Sequence, residues 1–136
     1  MKAINKAAKA IFDALTSDLV KVGDHKKIEN GAFMPLSIEV IDKQGPNSVR
    51  ISFCHYGEQN GDLMRDPEIC FIRILGEHGG YYPYYFRNDY LGVEQFPVEF
   101  NANGAMLGYN EKQQRDIAVF AGQWASNLKE QGFTEA

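Results

Sequence analysis

Two neighbouring segments alternate apolar and polar residues so regularly that the chain must contain an antiparallel β-hairpin with one buried face. In residues 36–42, Leu36, Ile38 and Val40 point one way and Ser37 and Glu39 the other. In residues 48–56, Val49, Ile51 and Phe53 face inward and Arg50 and Ser52 outward. A side-chain period of two belongs to a strand with one buried face. Between the segments, Gln44-Gly45-Pro46-Asn47 reads as a turn, because glycine and proline there punctuate rather than extend a strand. The apolar face of such a hairpin needs a cover.

Two amphipathic helices are read as that cover. In residues 3–18, Ile4, Ala8, Ile11 and Leu15 recur on one helical face, with Lys2, Lys6 and Lys9 opposite. In residues 111–131, Asn110 is the expected N-cap, with Gln113 three residues on. Ile117, Phe120, Ala121, Trp124 and Leu128 share the inner face of this helix. Gly132 is its expected stop, and Phe133 packs back on the last turn. Residues 21–35 form a connector in which Asn30-Gly31 turns between short arms at Ile28 and Phe33. Residues 68–75 read as an interior strand, and residues 81–90 as an aromatic strand in which Pro83 marks an edge or a bulge. Residues 93–100 add an irregular strand, and residues 101–108 a loop. The order is helix, four to five antiparallel strands, helix. It predicts an α+β two-layer sandwich spanning residues 1–136 as a single domain, with both helices on one sheet face. The other face is left to solvent or to a ligand.

Composition narrows the class. A chain of 136 residues, 44% hydrophobic and 24% charged, is globular rather than disordered, collagenous or a disulfide miniprotein. No apolar run approaches the ~18 residues of a membrane helix. The net charge of −4 argues against a protein devoted to coating nucleic acid. Residues 1–27 carry +3 and the remainder −7, an asymmetry that steers partners or simply solvates a surface helix. Lysines interrupt the opening stretch, so it is not read as a secretory signal. Cys54 and Cys70 lack zinc-site spacing. A cytoplasmic protein with buried, reduced thiols is expected. Pairing of the strands about Asp62 would set Cys54 opposite Cys70 and Phe53 opposite Phe71.

Residues 57–67 have no period and are expected to form a long loop of about eleven residues, where hairpin loops are usually ~2–5. Within the stretch from His55 to Glu68, Glu58, Asp62, Asp66 and Glu68, with Asn60, are hard oxygen donors for a metal. Their spacing does not match a calcium loop, and Arg65 would partly neutralise them, so no metal site is assigned. His55, paired with Glu58 or Asp66, has the chemistry of a general acid or base, but no nucleophile with an orienting partner accompanies it. The favoured reading is structural, including a loop that presents a binding surface: Asn60-Gly61-Asp62 turns the chain, and Asp66 caps or pairs with Arg65 or a backbone amide. In the aromatic strand, alternation puts Tyr82, Tyr84 and Phe86 on one face and Tyr81, Tyr85 and Arg87 on the other. The candidate cluster is therefore His55, Tyr56, Glu58, Asn60, Asp62, Arg65, Asp66, Glu68, Tyr84, Arg87 and Asp89.

The runs HYGEQNGDLMRDPEICF, YYFRNDYLG and FAGQWASNLKEQGF resemble an uncharacterised family of small bacterial domains, domain of unknown function 6908, with members on phages, plasmids and conjugative elements. The resemblance covers about residues 36–133, which stops short of the N-terminal helix. It implies a mobile-element setting and brings no activity, cofactor or catalytic residue. The leading expectation is a binding or accessory domain that presents residues 55–68 and the tyrosine-rich strand to a protein partner, with no cofactor. The acidic balance of residues 28–136 favours protein over nucleic acid. The alternative is a hydrolase or nuclease-like enzyme using His55 with Glu58, Asp62 and Asp66, with or without a divalent metal. Partner identity and oligomeric state stay open.

Overall fold

A computed structural model describes residues 1–136. In chain order the elements are α1 (Lys6–Leu15), β1 (His25–Asn30), β2 (Phe33–Lys43), β3 (Ser48–Gln59), β4 (Asp62–Ile74), β5 (Tyr81–Asn88), β6 (Val93–Gln95), β7 (Val98–Phe100), β8 (Met106–Tyr109) and α2 (Glu111–Glu130). Strands β1 to β6 form a six-stranded antiparallel meander, and β7 pairs only with β8. The class is α+β with flanking helices, but the strands exceed the four to five expected. The surplus is β1, which continues the Asn30-Gly31 connector, and the short pieces β6 and β8, which offer too few residues for a period.

The core follows from the alternation. Across the sheet, Ile38, Phe53 and Ile69 stand in one row and Val40, Ile51 and Phe71 in the next. Both helices cover this one face, and their apolar residues join it in a single cluster. Phe12 of α1 is the keystone, with ring centroids 4.5 Å from Phe53, 5.4 Å from Phe71 and 6.2 Å from Trp124. Phe12, rather than the expected Ile11, centres the buried face of α1, and Ile11 is only partly buried.

Helix α1 is shorter than residues 3–18. The Asn5 side chain accepts from the Ala8 N–H at 2.8 Å and starts the helix, while the Ile4 N–H donates to the Tyr81 carbonyl at 3.0 Å. Asn110 caps α2 by accepting from the Gln113 N–H at 3.0 Å. At the far end, Gly132 and Phe133 donate to the carbonyls of Lys129 and Leu128, each at 3.0 Å, closing a Schellman motif. Phe120, expected to face inward, sits at the margin of α2 with its ring edge-on to Phe86. Gln114 is fully buried instead. Its Oε1 accepts from the Lys2 N–H at 2.7 Å, and its Nε2 donates to the Pro83 carbonyl at 3.0 Å, so the polar group is satisfied on both sides.

Several local expectations are corrected. The β1–β2 turn is Gly31-Ala32, with Asn30 still in the strand opposite Phe33. Residues 57–67 are not a loop: β3 and β4 run on until only Asn60 and Gly61 remain as a two-residue turn, with φ of 53° and 87°. Two positive φ values in succession define the tight hairpin turn for which Asn-Gly is suited. The arm shows no alternation because residues 58–63 are exposed and neither side is buried. An extra residue in β4, beside the cis Asp66-Pro67 peptide, shifts the register. With the turn at Asn60-Gly61 rather than about Asp62, and this one-residue shift added, Cys54 stands opposite Glu68, Ser52 opposite Cys70, Phe53 opposite Ile69 and Ile51 opposite Phe71. Both cysteines are buried and free, as expected.

Pro83 marks a bulge rather than an edge, since β5 lies between β4 and β6. With Pro83 opposite Phe71 and Tyr85 opposite Cys70, Tyr84 is the extra residue. The bulge resets the alternation. Tyr84 joins Tyr85 on the outer side, against Phe100 and Phe96 respectively, and Phe86 turns to the helix side.

Candidate functional site

The pairing register lays the outer sheet face out in two rows. One runs His25, Glu39, Ser52, Cys70, Tyr85 from strand to strand; the next runs Lys27, Ser37, Cys54, Glu68, Arg87, Glu94. Directly opposed side chains on one face stand close enough to interact. No helix covers these rows. Over the β1–β4 half they floor an open groove of about 350 Å³, with Tyr56 at one side. The β7–β8 ribbon roofs part of the other half. There Arg50 Nη2 donates to the Gly104 carbonyl at 2.6 Å and the guanidinium lies 4.0 Å over the Phe100 ring. Tyr84 is tucked beneath, its ring edge-on to Phe100 at 5.5 Å, and burial raises the pKa of its hydroxyl.

Beside the groove, four of the expected residues form a connected network. Glu68 accepts from Ser52 Oγ at 2.7 Å and from Arg65 Nη1 at 3.0 Å. The Arg65 backbone N–H donates to Asp89 Oδ2 at 2.8 Å, and Arg87 Nε donates to Asp89 Oδ1 at 2.6 Å. The Arg65 N–H, and after it Arg87, hold the Asp89 carboxyl below its usual pKa. Arg87 also reaches Glu94, as does the Tyr85 hydroxyl. These charges are fixed in position before any ligand arrives. Cys54 and Cys70 lie under them; burial, helped by the Glu68 charge, pushes each thiol up to about 12, so neither is a nucleophile near neutral pH. Burial likewise pushes the Tyr56 hydroxyl up to about 12.

The remaining candidates lie elsewhere. Glu58, Asn60 and Asp62 sit exposed at the hairpin tip. His55 and Asp66 are on the helix side. The His55 ring, 6% exposed, lies 5.4 Å from Trp124 and 5.3 Å from Phe133, with Nδ1 3.3 Å from the Pro35 carbonyl. Burial holds its pKa below the usual histidine value. Asp66 Oδ1 accepts from Asn88 Nδ2 at 2.8 Å. Next to them, Tyr90 lies across Gly57 so closely that a Cβ there would stand 2.5 Å from its hydroxyl. The expected cluster is thus divided by the sheet: Tyr56, Arg65, Glu68, Arg87 and Asp89 on the outer face, His55 and Asp66 behind it, Tyr84 under the ribbon, and Glu58, Asn60 and Asp62 at the tip. No three His, Cys, Asp or Glu side chains are grouped as metal ligands.

Of the groove residues, only Tyr56 and Glu68 belong to the expected cluster; the polar ones it lacked include His25, Lys27, Ser37, Glu39 and Ser52. Ser37, Glu39 and Ser52 carried the signal, because the strand alternation already turned them away from the core. His25 and Lys27 carried none while β1 was read as a connector. Neither helix is long and apolar enough to cross a membrane.

No curated protein and no solved structure is significantly similar to the chain. A family model matches residues 2–134, so α1 lies inside the shared pattern rather than outside it. With nearly its whole length matched, the chain belongs to the family described as Domain of unknown function (DUF6908).

Proposed function

We propose that the protein is a single-domain binding or accessory module, cytoplasmic and serving a phage or mobile element, that receives a protein partner on the open half of its outer sheet face. The observation that carries this reading is the groove of about 350 Å³ on the sheet face opposite the one that both helices cover. Its walls carry both signs of charge, with Lys27 near Glu39 and Glu68. Mixed charge complements a protein surface, whereas a phosphate backbone calls for a uniformly basic one. The Arg65–Glu68 and Arg87–Asp89 pairs fix the charges beside the groove, which limits the ordering cost of association. Residues 55–68 and the tyrosine-rich strand take part through their outward members, Tyr56, Arg65, Glu68, Tyr85 and Arg87. The hydrolase alternative has no comparable support. His55 is caged by Trp124 and Phe133, on the opposite side of the sheet from Glu68 and Arg65.

Affinity capture from host cells tests the reading. Lys27→Glu and Glu39→Lys, on the groove walls, are compared with Val119→Lys on the exposed side of α2. A partner held by wild type and by Val119→Lys, and reduced about tenfold or more by both groove variants, supports it. Equal recovery by all four proteins contradicts it.

A further inference from the structure

Behind the sheet, where α2 ends against the start of the β3–β4 arm, a cleft of about 220 Å³ opens to solvent. Its apolar walls are Phe33, Met34 and Trp124, and its polar groups are His55, Asp66 and the side-chain amides of Asn127 and Gln131. The proposed protein-binding surface uses none of these.

Two observations distinguish the cleft from ordinary surface relief. Trp124 is buried, yet its indole Nε1 has no acceptor in the protein; buried donors without partners are rare. Asp66 commits Oδ1 to Asn88, and its other oxygen appears in no protein hydrogen bond. The cleft thus sets an acceptor with spare capacity beside the side-chain amides of Asn127 and Gln131 and the apolar side chains of Phe33, Met34 and Trp124. Burial disfavours the protonated form of His55, and Asp66 is the one acidic side chain in the lining.

We propose that this cleft binds a small, planar heterocycle carrying amino and carbonyl groups together, of the size and chemistry of a nucleobase. Its amino group donates to Asp66, its carbonyl accepts from the side-chain amide of Asn127 or Gln131, and its faces lie against Phe33 and Trp124. Stacking between apolar walls with hydrogen bonds at the ring edge is how proteins hold single bases. An anion is disfavoured by Asp66, and a purely aliphatic ligand leaves the polar edge unpaired.

Trp124 is the only tryptophan, so its indole N–H gives one NMR resonance that reports on the cleft. Cytosine, guanosine, uracil and toluene are titrated to 10 mM into the ¹⁵N-labelled protein, following that signal and the Asn127 and Gln131 side-chain amides. Saturable shifts with cytosine or guanosine are expected, with at least fivefold weaker response to uracil, which lacks the exocyclic amine, and to toluene. Asp66→Asn weakens binding about tenfold. Asn127→Leu, at an exposed helix position, weakens it without threatening the fold, and Ser37→Ala in the outer groove leaves it unchanged. No shift with any ring, or shifts equal across the four probes and indifferent to Asp66→Asn and Asn127→Leu, overturns the proposal. Because Ser37 belongs to the other face, this outcome is independent of the protein-binding reading.

Discussion

Arg65 and Asp89 hold each other by a reciprocal pair of bonds: the Arg65 N–H donates to Asp89 Oδ2 at 2.8 Å, and the Asp89 N–H donates to the Arg65 carbonyl at 2.9 Å. This joins the β3–β4 arm to the chain leaving β5 and sets Arg65 and Arg87 side by side. Asp89→Ala should cost about 1–2 kcal/mol, as for a hydrogen-bonded charge in a partly exposed site, and should raise hydrogen exchange at the Arg65 amide. The Asp89 pKa is depressed, chiefly by the Arg65 N–H. Its contribution is therefore present above the ordinary carboxylate pKa and is lost as pH falls through the lower folded value. The gap in melting temperature between wild type and Asp89→Ala should narrow as pH drops from 6 toward 2.

His55 shares this pH dependence for a different reason. Burial, partly offset by the backbone carbonyls of Pro35 and Met34, lowers its pKa from the ordinary histidine value of about 6.5. Below that pH the unfolded chain takes up a proton that the folded chain resists, so stability falls as pH drops from 6.5 toward the folded pKa. An NMR titration should give a midpoint below 6.5 for this ring. His55→Leu, which keeps an apolar body between Trp124 and Phe133, should flatten the pH dependence of melting between pH 7 and 5.

The two thiols should be inert in the folded protein. With Cys54 and Cys70 buried and pushed up to about 12, iodoacetamide at pH 8 should label neither in native buffer and both in denaturant. Fast labelling of either one in native buffer would show that the outer face opens more than its geometry implies.

What was legible in the sequence was what the core dictates. Leu36, Ile38 and Val40 alternate because one side of β2 packs under the helices, and the caps at Asn110 and Gly132 are local chemistry needing no tertiary context. His55 shares the parity of Ile51 and Phe53, which places it on the buried side. The arm from Tyr56 to Arg65 was illegible as strand because solvent on both sides removes any period. The pairing turns at Asn60-Gly61 rather than about Asp62, and with the extra residue at Asp66-Pro67 it ends two residues from the expected register; the tyrosine faces change at one extra residue, Tyr84. A single inserted residue inverts every side chain beyond it, and neither bulge has a counterpart in the hydrophobic pattern.

The arm's turn gives a separate check. Gly61 has φ of 87°, a region where a Cβ costs about 1–2 kcal/mol. Gly61→Ala should lower stability by that amount and loosen the amides of Glu58 and Leu63, while leaving the core methyl resonances of Ile51 and Ile69 in place.

The central claim is that the open outer face, and not the helix side, meets the partner. Photo-crosslinking in cells tests it most directly, with a benzoylphenylalanine placed in turn at Ser37 in the groove and at Val119 on α2. The account predicts a discrete crosslinked partner from position 37 that disappears with Glu39→Lys, and none from position 119. Crosslinks of equal yield from both positions, or from position 119 alone, would contradict it.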